Sequence, residues 1–198
     1  MKKLFLLIVS IYLIFNFASA VTYNSDPKIF VQELVDDAIK TLSDKSISKE
    51  DKAKLIEKIA LENVDIKALG MYTLGNIRKN LSENDLNKYN NLFEKYFLKS
   101  LTSRLTDYSN NKFLVLDSDQ KNSKYTIVRS KIIESDQPEI KIDWRVYTKD
   151  PLKPLIRDLI VEGLSLARTQ KEEFASILVS NNNDIQYLFK RLEEFINN

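Results

Sequence analysis

The chain has 198 residues, with 30 Lys and Arg against 28 Asp and Glu, and contains neither histidine nor cysteine. The missing histidine excludes Ser-His-Asp and Cys-His catalysis and the usual zinc sites, leaving carboxylate, lysine, tyrosine or serine chemistry. The missing cysteine means that no disulfide holds the fold, which must rest on an apolar core; the near-balanced charge lacks the basic excess of a nucleic-acid binder.

Residues 1–20, "MKKLFLLIVSIYLIFNFASA", carry Lys2 and Lys3, an apolar run from Leu4 to Phe15 and small residues at Ala18-Ser19-Ala20. This is the pattern of a secretory signal cleaved after Ala20, and the run is short for a span of about 20 residues. The two lysines account for the formal charge of +2, so residues 21–198 are neutral. That remainder suits one domain, exported and without a membrane anchor in its mature form.

Asp26-Pro27 predicts an N-cap and first helical residue, followed by apolar positions at Ile29, Phe30, Leu34, Ala38, Ile39 and Leu42 in helical spacing. Ser48, with Asp51 three residues on, starts a second helix whose stripe is Ala53, Ile56, Ile59 and Ala60. A short apolar helix is expected between Asp65 and Gly75. Ser82 opens the longest, with Leu86, Tyr89, Phe93, Tyr96, Phe97, Leu101, Leu105 and Tyr108 in helical spacing.

Near Asn110 the pattern changes. "KFLVLDS", "KYTIVRSKIIES", "EIKIDWRVYTK" and "PLIRDLIVEGLSL" are β-branched and aromatic, separated by polar clusters, and read as four strands of an antiparallel meander. Ile140, Ile142, Trp144 and Val146 share one face of the third strand. In the fourth, alternation groups Ile156, Asp158, Ile160, Glu162 and Leu164. The acids are expected to pair with Lys or Arg of the neighbouring strand or to sit at wet ends, since an unpartnered buried acid is costly. Gly163 is expected to mark a bulge or bend. Thr169 then starts a helix, "NNND" breaks it with left-handed asparagines, and "DIQYLFKRLEEFIN" forms the last. Helices first, then strands, then two C-terminal helices predict an α+β fold, with helices against a curved four-stranded antiparallel sheet.

"IDWRVY", a hairpin, "IRDLIVEGLSLARTQKEEFASIL" and "DIQYLFKRL" resemble the C-terminal signature of the MlaC family of periplasmic phospholipid-binding proteins, also called the toluene-tolerance auxiliary component. Trp144, Asp158, Glu162, Gly163, Ser165, Thr169, Glu173 and Phe174 fill the positions of that pattern. "VDIKALGMYTLGN" and the long helix with "FEKYFLKSL" match the family's other recurrent region. The chain departs in two turns: "KDPLKPL" lacks the usual glycine and aromatic, and asparagines replace a glycine before the last helix.

The resemblance implies a sheet wrapped by helices, similar to the nuclear-transport-factor-2 type, with lipid tails between them. It implies a periplasmic carrier without catalytic residues, metal or cofactor, whose cargo is phospholipid. The implied partners are an outer-membrane lipoprotein-porin complex and an inner-membrane ABC transporter with a ring-shaped lipid-binding subunit; the expected state is a monomer. The candidate walls are Leu69, Met71, Tyr72, Leu74, Phe93, Tyr96, Phe97, Leu101, Trp144, Val146, Ile160 and Leu164. A stripe such as Phe93-Tyr96-Phe97 is, by periodicity alone, ordinary core. Two other readings stand beside the carrier. One is a small cone-fold enzyme using Asp158 or Glu162 as a pocket base, near Tyr147 or Tyr72. The other is an envelope interaction protein with a filled interior.

Overall fold

The structure, a computed structural model, describes residues 23–105, 112–134 and 137–198. The signal-like segment 1–20 and Tyr108, expected at the end of the long helix, lie outside the described residues.

Caps set the helix starts as the sequence predicts. Asp26 accepts hydrogen bonds from Lys28 N and Ile29 N to open α1 (Pro27–Ser43). Ser48 and Asp51 cap α2 (Lys49–Asn63): Asp51 N donates to Ser48 Oγ at 3.1 Å, and that hydroxyl donates back to the Asp51 carboxylate at 2.7 Å. Asp65 caps α3 (Ile66–Thr73), a 3-10 turn follows at Gly75–Lys79, and Ser82 bonds Asp85 N at the start of α4 (Glu83–Leu105).

The sheet runs in sequence order through β1 (Lys112–Asn122), β2 (Tyr125–Ile133), β3 (Ile140–Tyr147) and β4 (Leu155–Val161), and ends in β5 (Leu164–Ser165). All neighbours are antiparallel. The expected fourth strand is therefore two. Glu162 (φ 48°) and Gly163 (φ 82°) both adopt the left-handed conformation, and Val161 faces Leu164 across them. Positive φ at both central positions is the signature of a two-residue type I′ hairpin turn, so Gly163 reverses the chain instead of bulging it. The sheet's irregularities lie elsewhere, at Val115/Asp117, Gln120/Asn122 and Arg145/Val146. Each extra residue bends its strand and increases local twist.

Helix α5 (Leu166–Val179) starts three residues before Thr169, with Ser165 as its N-cap. Thr169 lies inside the helix, its hydroxyl donating to Ser165 O. Asn182 (φ 56°) and Asn183 (φ 58°) take the expected left-handed conformation before α6 (Ile185–Asn197).

Among the described residues two apolar cores result. One is helical: Ile66, Leu74, Tyr89, Phe93, Phe174, Leu188 and Phe189 pack with their neighbours from α3, α4, α5 and α6. The other joins α1 to the sheet through Phe30, Val31, Leu34, Val128, Val146 and Ile156. In α1 the buried stripe uses Val31 and leaves Ile29 exposed. Val64, after α2, packs against both cores and bridges to Ile156.

Candidate functional site

The sheet's two faces follow from its pairing register. Residues directly opposite in an antiparallel pair point the same way. On the face covered by α1, Val146 pairs with Ile156 and Trp144 with Leu159. The same face continues as Ser130, Ile142, Val161 and Leu164, and then as Phe113, Ile132 and Ile140. Burial falls along it. Val128 and Val146 are fully buried, whereas Phe113, Ile132, Ile140, Ile142 and Val161 are half-buried and Leu164 is 69% exposed. Two cross-strand rows, apolar apart from the buried Ser130, are thus only partly covered by the described residues at the end of the sheet near the β2–β3 hairpin. Trp144 stands at their inner limit. Its indole N–H donates to Ser130 Oγ at 2.8 Å, that hydroxyl donates to Ile142 O at 2.9 Å, and its ring meets Phe113 edge-on.

The irregularity at Arg145/Val146 corrects the alternation expected for β4. Two β4 steps, from Ile156 to Asp158, oppose one β3 step, so Arg157 is extra and the residues beyond it change face. Ile156 faces α1. Asp158 and Ile160 lie on the opposite face, across from Arg145 and Asp143. Ile160 therefore does not share a face with Trp144, Val146 and Leu164.

Asp158 is 3% exposed and fully engaged. Ser165 Oγ donates to it at 2.6 Å, Ala167 N donates at 3.0 Å, and Arg145 stands 3.6 Å away. Glu162 is exposed in the turn, where its carboxylate accepts from Lys141 N and its own N–H donates to Lys141 O. Both acids find partners on the neighbouring strand, and neither faces the uncovered rows. Among the described residues no group of acids is placed to hold a metal ion.

Arg157, freed by the irregularity, joins the two halves of the molecule. It bonds Asp65 through Nε (2.9 Å) and Nη2 (2.6 Å), and it donates to Tyr125 Oη at 2.9 Å. Its guanidinium stacks 3.4 Å from the Tyr147 ring centroid. Burial works against its charge, but the hydrogen bonds to Tyr125 and Asp65 and the Asp65 charge outweigh that and raise its pKa. This role was not legible in the sequence, because it depends on one extra residue in β4.

The remaining candidate wall residues lie on the helices. Leu74 and Phe93 are buried in the helical core, with Leu69, Met71, Tyr96 and Phe97 packed around them. Leu101 is half-buried on α4, and Tyr72 is 40% exposed beneath the Lys171 ammonium. Phe174 stacks edge-on to Phe93. The phenol of Tyr89, paired with Thr73 at 2.7 Å, has its pKa pushed up by burial. A groove of about 320 Å³ between α3 and α4 is lined by Ile66, Lys67, Asn87, Asn90, Asn91 and Glu94. A smaller cleft of about 160 Å³ includes Leu74, Ile77, Lys171 and Leu178.

The fold and the rows together define an α+β protein built on an open antiparallel sheet, wrapped by helices and carrying an apolar face that the described residues cover only in part. The chain belongs to the MlaC family: the family model described as MlaC protein matches residues 32–194. The solved phospholipid-binding protein from Ralstonia solanacearum, in complex with a phospholipid, is similar in fold, with a TM-score of 0.72. That match has 19% sequence identity and covers 84% of this chain and 94% of that one. No curated protein matches the chain.

Proposed function

We propose that this chain is a single-domain periplasmic phospholipid carrier, exported by its N-terminal segment and released by cleavage. It holds acyl chains against the sheet's uncovered apolar rows. The observation that carries the reading is the run Ile142, Val161 and Leu164, apolar across three strands and most exposed at the edge. Family membership and the phospholipid bound by the similar structure point to the same cargo. At ~0.8 kcal/mol per buried CH₂, two tails of about fifteen methylenes represent roughly 24 kcal/mol of transfer out of water. An apolar surface replaces that environment without any catalytic group. The carrier exchanges lipid with an outer-membrane lipoprotein-porin complex and an inner-membrane ABC transporter, acting as a monomer. No helix among the described residues is long and apolar enough to cross a membrane.

The enzyme reading loses both its candidate bases, since Asp158 and Glu162 serve as acceptors for backbone and side-chain donors. Organic extraction and mass spectrometry of the protein, purified after secretion without detergent, tests the carrier. Diacyl phospholipid near one or two per chain is expected. Repeated lipid-free preparations, under conditions in which a known carrier keeps its lipid, would overturn it and favour the interaction protein.

A further inference from the structure

Leu152 has the highest exposure among the large hydrophobic residues described, at 81%. It lies in the β3–β4 connection, "TKDPLKP", and the connection holds it outward. Leu152 N donates to Asp150 Oδ1 at 3.0 Å, and Lys153 N donates to Asp150 O at 3.2 Å. Pro151 and Pro154 fix the backbone on either side, and Pro154 is buried. Lys149 and Lys153 flank the leucine and are exposed. Thr148 N donates to Lys124 O at 2.8 Å, which pins the β1–β2 turn alongside and adds exposed Lys124 and Lys121. Lys121 pairs with Asp119. Lys124, Lys149 and Lys153 form no ion pair among the described residues.

A single exposed leucine is ordinary. A leucine braced outward among three unpaired lysines, on a chain whose residues 21–198 are neutral, is a different arrangement. We propose that this tip docks on an anionic lipid bilayer, with the lysines at the phosphates and Leu152 in the headgroup boundary. An acidic protein face would need an apolar pocket placed among its carboxylates to take the protruding leucine, whereas the headgroup boundary of an anionic bilayer takes it at any point. Each lysine near such a surface strengthens binding about fivefold; the exposed Asp150 carboxylate at the same tip offsets about one of the three, so the net charge supplies roughly twenty-fivefold, and one leucine adds about tenfold. Such attachment is reversible. The tip stands at the end of the sheet where Tyr125 pairs with Tyr147, away from Ile132 and Ile140. Docking therefore leaves the uncovered rows turned away from that bilayer and open to another partner.

The test is sedimentation of the secreted protein with phosphatidylcholine vesicles, with and without phosphatidylglycerol. Binding only to the anionic vesicles is expected. It should fall about tenfold in Leu152→Ser and roughly a hundredfold in the triple Lys124→Ala, Lys149→Ala, Lys153→Ala variant, with circular dichroism unchanged. Because the chain has no cysteine, Leu152→Cys takes a single environment-sensitive dye. Lipid-borne nitroxides should quench that dye, but not one placed by Gln186→Cys on α6. No binding to anionic vesicles, binding that the substitutions leave unchanged, or an unquenched dye at 152 overturns the proposal. So does lysine-dependent binding to polyglutamate without vesicle binding, which would mark the tip as a site for acidic protein.

Discussion

Ser165 donates its hydroxyl proton to Asp158 at 2.6 Å and accepts from Arg168 N at 3.0 Å, so one serine both caps α5 and ties it to a buried strand carboxylate. Asp158 adds a second tie to the same helix turn through Ala167 N. Replacing Asp158 by alanine leaves two donors without their acceptor. We expect Asp158→Ala to cost about 3 kcal/mol and Ser165→Ala about 1 kcal/mol in urea unfolding. A loss from Asp158→Ala no larger than that of an exposed acid would show that the carboxylate does not anchor the helix.

Gly70 sits in α3 where an added Cβ would lie 2.8 Å from Phe93 Cδ1. In an open helix, Gly→Ala gains about 1 kcal/mol. Here Phe93 is packed among Tyr89, Tyr96, Phe97 and Phe174 and has little room to move. Overpacking costs about 1–3 kcal/mol, so Gly70→Ala should lower the denaturation midpoint. A raised midpoint would mean that the ring relaxes freely.

Gly163 presents the opposite case: an added Cβ meets nothing within 4 Å, but φ is +82°. Gly163→Ala should therefore cost about 1–2 kcal/mol through backbone strain alone. Asparagine tolerates this region better than alanine, so Gly163→Asn should recover part of the loss. Equal stability of the alanine variant and the parent in thermal melts would refute the turn assignment.

Lipid retention separates surface from core. Leu164→Glu and Ile142→Glu place a charge on the uncovered rows, and each should reduce co-purified phospholipid roughly tenfold or more while the protein stays folded. Leu74→Glu puts its charge into the helical core, where Leu74 is 3% exposed, and should unfold the protein instead. Lipid content by mass spectrometry beside circular dichroism distinguishes them. Unchanged lipid in a folded Leu164→Glu protein would remove that residue from the site.

Local signals in the sequence were sufficient where a short stretch of chain settles its own conformation. Asp26-Pro27, Ser48 with Asp51 and Ser82 start helices because their side chains reach donors two or three residues away. Asn182 and Asn183 end one because asparagine tolerates positive φ. Alternation along the fourth strand grouped Leu164 with Ile160, but the pairing register puts Leu164 on the face of Trp144 and Val146 and Ile160 on the other.

The sequence alone determined the αααα–β–αα order, the absence of histidine and cysteine chemistry, and the signature shared with the MlaC family, since each is written in residue type and spacing. Tertiary structure decided which apolar residues are core and which are left uncovered. It also decided that "VEGLS" folds back as a hairpin and that Arg157 latches Asp65 to Tyr147. The reason is register. One extra residue in β4 turns the side chains beyond it to the other face, and only pairing with β3 fixes where that residue falls.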